Sequence, residues 1–152
     1  PSDIVEIDGI MCFSIEDSEL RRVKNLSSHR IVPVHSQLIN LGFLEHVENA
    51  KKSKEISLFP ELYEVGNNPY GRKVGRRMRQ IIDQELGTIG EKLSFHSLRH
   101  YVQNQLDHAS VDDKIVRDII GHEGKDIHEK VYRKPTPPEA LSKAIELLPR
   151  FD

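Results

Sequence analysis

The sequence is poor in several things that would announce a function. One cysteine, Cys12, among 152 residues forms no intrachain disulfide and supplies no multi-cysteine zinc site. That usage points to a reducing, intracellular compartment. No apolar run approaches the roughly 18–20 residues that cross a bilayer, so no membrane partner is expected. Residues 1–15 lack a basic start and a small-residue cleavage site, so no secretory signal is expected. Excess positive charge is missing too. Twenty-two Lys and Arg stand against 24 Asp and Glu, a net charge of −2, which does not announce a nucleic-acid binder.

What is present is the composition of a globular domain, with 37% apolar and 30% charged residues. The length suits one domain with its own core. Charge is unevenly spread. Residues 1–70 hold 7 Lys/Arg against 11 Asp/Glu, and residues 71–152 hold 15 against 13. Arg72, Lys73, Arg76, Arg77 and Arg79 crowd into eight positions with no acid among them. Polyanion binding depends on such local fields rather than on net charge. A solvated helix face explains the cluster equally well.

The chain opens on strands. Ile4 to Ile7 and Ile10 to Ile15 flank Asp8-Gly9, a hairpin turn pair. A third strand is expected over 30–34, and Pro33 marks it as an edge. The rest reads as helix. Ser36 is a candidate N-cap for a helix to about Lys51, with Leu38, Leu41, Leu44 and Val47 as its apolar positions. Residues 53–70 form a connector. A basic helix over about 71–86 carries Val74, Met78, Ile81 and Ile82 as its buried stripe, and Gly87 and Gly90 close it. Ser94 caps a helix over about 95–108, with Leu98, Val102 and Leu106 inward. Ser110 and Asp113 have the capping spacing for a helix that Gly121 ends. A short helix is expected over 127–132. Thr136-Pro137-Pro138-Glu139 starts the last one, about 137–148, bearing Ala140, Leu141, Ala144, Ile145 and Leu148.

Four places carry residues suited to phosphate chemistry. His96 and Arg99, at i and i+3, project together near a helix N-terminus, whose free N–H groups favour an anion. Arginine offers a two-pronged charged contact, and histidine a movable proton. His122 follows the glycine stop Gly121 on a sharp turn. Tyr132 lies ten residues further on, among Lys130, Arg133 and Lys134. A phenol, with its pKa near 10, needs such cations to act as a nucleophile. Lys24, in the polar segment between strands, is a candidate proton donor. Taken singly, a solvated surface residue explains each of these as well or better.

Taken in order they resemble the tyrosine recombinase family, which includes phage integrases. Lys24 with the trailing Ser27-Ser28-His29-Arg30-Ile31-Val32-Pro33-Val34 resembles that family's hairpin lysine, arginine and Val-Pro strand. Phe95-His96-Ser97-Leu98-Arg99-His100 resembles its second box. Asp118-Ile119-Ile120-Gly121-His122 resembles its Leu-Gly-His turn, with Ile for Leu. The likeness spans residue 1 to about 135. There are departures. The family's first arginine box would lie before Pro1, so the chain is expected to be the later part of a catalytic domain. The spacing from His122 to Tyr132 is one residue longer than in the commonest members.

The resemblance implies a mixed, mainly α fold: a small N-terminal antiparallel sheet of two or three strands (about 4–34) packed on a helical catalytic core (about 36–132), then the C-terminal helix. It implies one partial catalytic domain over 1–152. It also implies DNA cleavage and rejoining through a 3′-phosphotyrosyl link. In that scheme Tyr132 is the nucleophile, Arg99 and His122 hold the phosphate, His96 is the base and Lys24 the acid. No metal or other cofactor is required. Arg72, Lys73, Arg76, Arg77 and Arg79 would contact backbone phosphates. The expected partners are a double-stranded recombination site and other protomers, a tetramer in the synapse. The expected setting is a prokaryotic or phage-encoded protein of the cytoplasm and nucleoid. The C-terminal helix docks either on a neighbouring protomer or on its own domain.

Two rivals remain. His96 and His100, at i and i+4, could bind zinc with His122 or His128, although Ser97 replaces the glutamate of H-E-x-x-H. Alternatively the chain is a DNA-binding or assembly module without chemistry. Helices 95–108 and 111–120 then imitate a helix-turn-helix, but Val111, Asp112, Asp113 and Asp118 make a poor major-groove reader.

Overall fold

The computed structural model describes residues 1–17, 29–65, 71–121 and 134–150. Three antiparallel strands open it: β1 (Ile4–Ile7), β2 (Ile10–Ile15) and β3 (Arg30–Pro33), in the order β1-β2-β3. Asp8 and Gly9 both take left-handed backbone angles, φ 51° and 76°. Two such residues form the hairpin turn whose twist matches that of the strands. Cys12 pairs with Val5 on one side and Pro33 on the other. It is fully buried, and burial pushes its thiol pKa up. β3 is an edge, so Pro33 costs the sheet no interior donor.

Six helices follow in the described residues: α1 (Ser36–Asn40), α2 (Phe43–Lys52), α3 (Gly71–Leu86), α4 (Ser97–His108), α5 (Asp113–Ile120) and α6 (Pro138–Ile145). The core joins α4, α5 and α6 through Leu106, Val116, Ile119, Ile120, Leu141, Ala144 and Ile145. Val32 of β3 and Val102 of α4 pack against it. The buried positions of α5 (116, 119, 120) and of α6 (141, 144, 145) recur at three and four, so each helix turns one stripe inward. Each fully buried aliphatic side chain contributes about 1.5–3 kcal/mol.

Helix boundaries depart from the pattern reading in three places. The first expected helix is two, broken at Leu41–Gly42, where Gly42 has φ 85°. His35 rather than Ser36 caps α1, its Nδ1 accepting the amide of Gln37 at 2.9 Å. Leu38 and Leu41 are exposed, because the break turns them off the stripe that Val47 and Ala50 bury. Asp112, not Ser110, caps α5, accepting the amide of Lys114 at 2.8 Å. Ser110 instead takes a left-handed turn conformation, φ 56°. The helix expected over 127–132 lies outside the described residues.

The C-terminal helix packs on its own domain. Beyond its buried stripe, the Glu146 carboxylate accepts the Ser36 amide at 2.7 Å and the Ser36 hydroxyl at 2.6 Å. Arg150 donates to the same hydroxyl at 2.8 Å. Burial pushes the Glu146 carboxyl up. The Ser36 hydrogen bonds, with His35 and Arg150, outweigh that and hold its pKa below the ordinary value.

Candidate functional site

Two of the five expected catalytic residues lie in the described structure, and α4 carries both. The chain tightens before that helix: the amides of Ser97, Leu98 and Arg99 bond back to the carbonyls of Ser94, Phe95 and His96. Ser97 Oγ accepts the Ser94 amide at 3.0 Å. Ser94 is therefore not the cap of the helix. His96 holds the N-cap position, with no side-chain capping bond. His96 and Arg99 thus flank the first turn of a 12-residue helix. The amides of that turn are already bonded to the carbonyls before it, so the helix dipole, rather than free N–H groups, favours an anion there. Arg99 is half-buried and His96 exposed. Lys24, His122 and Tyr132 lie outside the described residues.

His100 stands beside His96, ring edge to ring face, with centroids 5.1 Å apart. The pair has the i and i+4 spacing the zinc rival needs. The third ligands it names, His122 and His128, lie outside the described residues; within those residues no third His, Cys, Asp or Glu joins the pair. The helix-turn-helix rival meets a packing obstacle. Its second helix, α5, buries Val116, Ile119 and Ile120 and packs against β3, α4 and α6.

The five basic residues all sit on α3. Arg72, Arg76 and Arg79 fall on one face at i, i+4 and i+7, with Lys73 and Arg77 beside them. Three are held by the protein. Lys73 donates to the Glu61 carbonyl at 2.6 Å, and Arg76 pairs with the Glu64 carboxylate. Arg79 donates to the Leu93 carbonyl at 2.8 Å and to Asp83 at 2.5 Å. Arg72 and Arg77 are exposed and have no partner among the described residues. The apolar stripe expected to be buried is not. Val74, Met78 and Ile82 are half-covered and Ile81 is exposed; among the described residues the main neighbours of α3 are the turns at Pro60–Leu62 and Gly87–Lys92.

Pattern reading missed the contacts at the two ends of the 122–133 stretch. On one side, Arg30 Nε donates to the Ile119 carbonyl at 3.1 Å, beside the glycine turn at 121. On the other, the buried Thr136 donates to Asp118 at 2.5 Å and accepts from Lys114 at 3.2 Å. The first contact joins residues 89 apart, and no local spacing announces it. The only signal was that Arg30 and Gly121 both belonged to quoted motifs.

Comparison with known proteins adds three findings. The model of the phage integrase family matches residues 7–138. The tyrosine recombinase XerC of Halalkalibacterium halodurans is 33% identical over 101 aligned residues, covering 62% of this chain and 32% of that protein. The chain thus spans about a third of the length of the curated relative it matches. No solved structure matches it.

Proposed function

The chain belongs to the phage integrase family, and from that membership we propose that it cleaves and rejoins DNA at a specific site. The carrying observation is the pairing of His96 and Arg99 at the start of α4, inside the matched stretch. That stretch also contains Lys24, His122 and Tyr132.

In this reading the Tyr132 hydroxyl attacks a scissile phosphate. The oxygen–phosphorus bond it forms is a 3′-phosphotyrosyl link, and the 5′-oxygen leaves as a hydroxyl. Attack by the 5′-hydroxyl of a partner strand reverses the step and exchanges strands. The bond is conserved, so the reaction is balanced without ATP. Arg99 holds the non-bridging oxygens as charge grows on them, helped by a hydrogen bond from His122. His96 takes the tyrosine proton, and Lys24 supplies one to the leaving oxygen. A half-buried guanidinium suits Arg99's role, because an electrostatic donor acts more strongly out of bulk water.

Double-stranded DNA is then the substrate, and further protomers complete the synapse. Arg72 and Arg77, exposed on α3, supply backbone phosphate contacts that position the protein without reading sequence. Lys73, Arg76 and Arg79 contribute to the same field while fastening α3 to its neighbours. The test is covalent capture. The full-length encoded protein is incubated with a nicked cognate site and run on a denaturing gel. A protein–DNA band that survives EDTA and vanishes in Tyr132→Phe is the expected result. Tight binding to that site with no band overturns the assignment.

A further inference from the structure

Arg30 lies at the end of the sheet, on the strand edge that meets α5. Its guanidinium does two things at once. Nε donates to the Ile119 carbonyl at 3.1 Å, in the last turn of α5. Nη1 and Cζ occupy the space beside Gly121: a Cβ built there would sit 2.7 Å from Nη1 and 2.9 Å from Cζ. Gly121 has φ 78° and donates its own amide to the Arg117 carbonyl at 2.8 Å, ending the helix. The turn favours glycine on two counts, the first firm and the second softer, since a guanidinium is the movable end of its side chain. One is the left-handed backbone. The other is that a flat cation lies where a side chain would go.

We infer that Arg30 is a positioning residue, whose guanidinium holds the Ile119–Gly121 turn and so sets the direction in which the chain leaves α5 toward His122. This rests on the proposed phosphate role of His122. The scheme gives the arginine no chemical step of its own. It acts on a backbone carbonyl and on the space at a glycine. A helix end is prone to fray, since its last carbonyls lack partners within the helix. A bidentate-capable planar cation on one of those carbonyls satisfies it with a charge-assisted hydrogen bond and also complements the negative end of the helix dipole. Lysine has the charge but not the flat fork, so the two are not interchangeable here.

The test is a double-mutant cycle on covalent adduct formation with the full-length protein: wild type, Arg30→Ala, His122→Ala and the double variant, with Arg30→Lys alongside. Misplacing a reacting group by an ångström costs on the order of 100-fold in rate. Arg30→Ala is expected to slow adduct formation to that order while DNA affinity changes little. The double variant should be no slower than His122→Ala alone, because an arginine that acts through His122 has nothing left to aim. Arg30→Lys should recover only part of the loss. Losses that multiply in the double variant overturn the inference, since that is the result of an arginine that only stabilises the fold. Full recovery in Arg30→Lys overturns it too, because charge alone would then suffice. If wild type itself gives no adduct, the proposed function fails, and this inference falls with it.

Discussion

The α5–α6 region and the α3 region both carry aliphatic residues at helical spacing but treat them oppositely. On α5 and α6, six of them are buried, and they close on Leu106 of α4 and Val32 of β3. On α3 none is buried, although Val74, Met78, Ile81 and Ile82 have helical spacing. The difference lies in what is stacked behind each helix. α5 is covered by β3, α4 and α6, whereas α3 lies against two short turns and is fastened by Lys73, Arg76 and Arg79 to Glu61, Glu64 and Leu93. Periodicity says which face a helix would bury. It does not say that a second layer exists to bury it. The packed region therefore carries stability, and the basic helix is free to carry charge.

Several substitutions would break or sharpen this contrast. The largest expected effect is Leu106→Ala, which should destabilise the fold by about 2–5 kcal/mol in denaturant titration. Ile81→Ala on α3 should stay within about 0.5 kcal/mol. Equal losses at the two sites would mean that α3 belongs to the same core. Next comes Gly121→Ala. The left-handed backbone alone costs about 1–2 kcal/mol, and the collision with Arg30 adds to it. Combining it with Arg30→Ala should relieve the collision but not the backbone strain, as a partial recovery of the melting temperature.

Arg72→Ala and Arg77→Ala should leave the melting temperature unchanged. Each should weaken DNA binding at all sequences alike and lower the salt slope of log K by about one. A change confined to one DNA sequence would move these residues from phosphate contact to base reading. The smallest effect is at Glu146. Its folded pKa is depressed, so its contribution is present above the ordinary carboxylate range and is lost as pH falls through the lowered value. Glu146→Gln should flatten that acid-side loss while costing under about 1 kcal/mol near neutral pH, as befits a largely exposed pair.

Much of this was legible in the chain. Asp8-Gly9 announced the hairpin, Pro33 the edge strand, Gly121 the end of α5 and Pro138 the start of α6, and the structure has each. These are local signals, set by backbone freedom and missing donors within a few residues. The misjudged points were decided by neighbours. Ser36, Ser94 and Ser110 all had the chemistry of caps. Ser36 is engaged by Glu146, the amide of Ser94 bonds to Ser97, and Ser110 turns the chain. Leu38 and Leu98 had core spacing, but nothing among the described residues buries them.

The candidate site divides the same way. The types and order of Lys24, His96, Arg99, His122 and Tyr132 are properties of the sequence. They sufficed to indicate the family, because side chains at characteristic spacings do not depend on packing to be recognised. Which supporting residues bear on the site could come only from the folded chain. Arg30 meets Ile119 and Gly121 across 89 residues. Thr136 ties the far end of the 122–133 stretch to Asp118, and Lys73, Arg76 and Arg79 are spent in part on holding their own helix. Such contacts join segments remote in sequence, so no pattern along the chain encodes them. They exist only once burial of the α4–α6 core has brought β3 and the helix ends together.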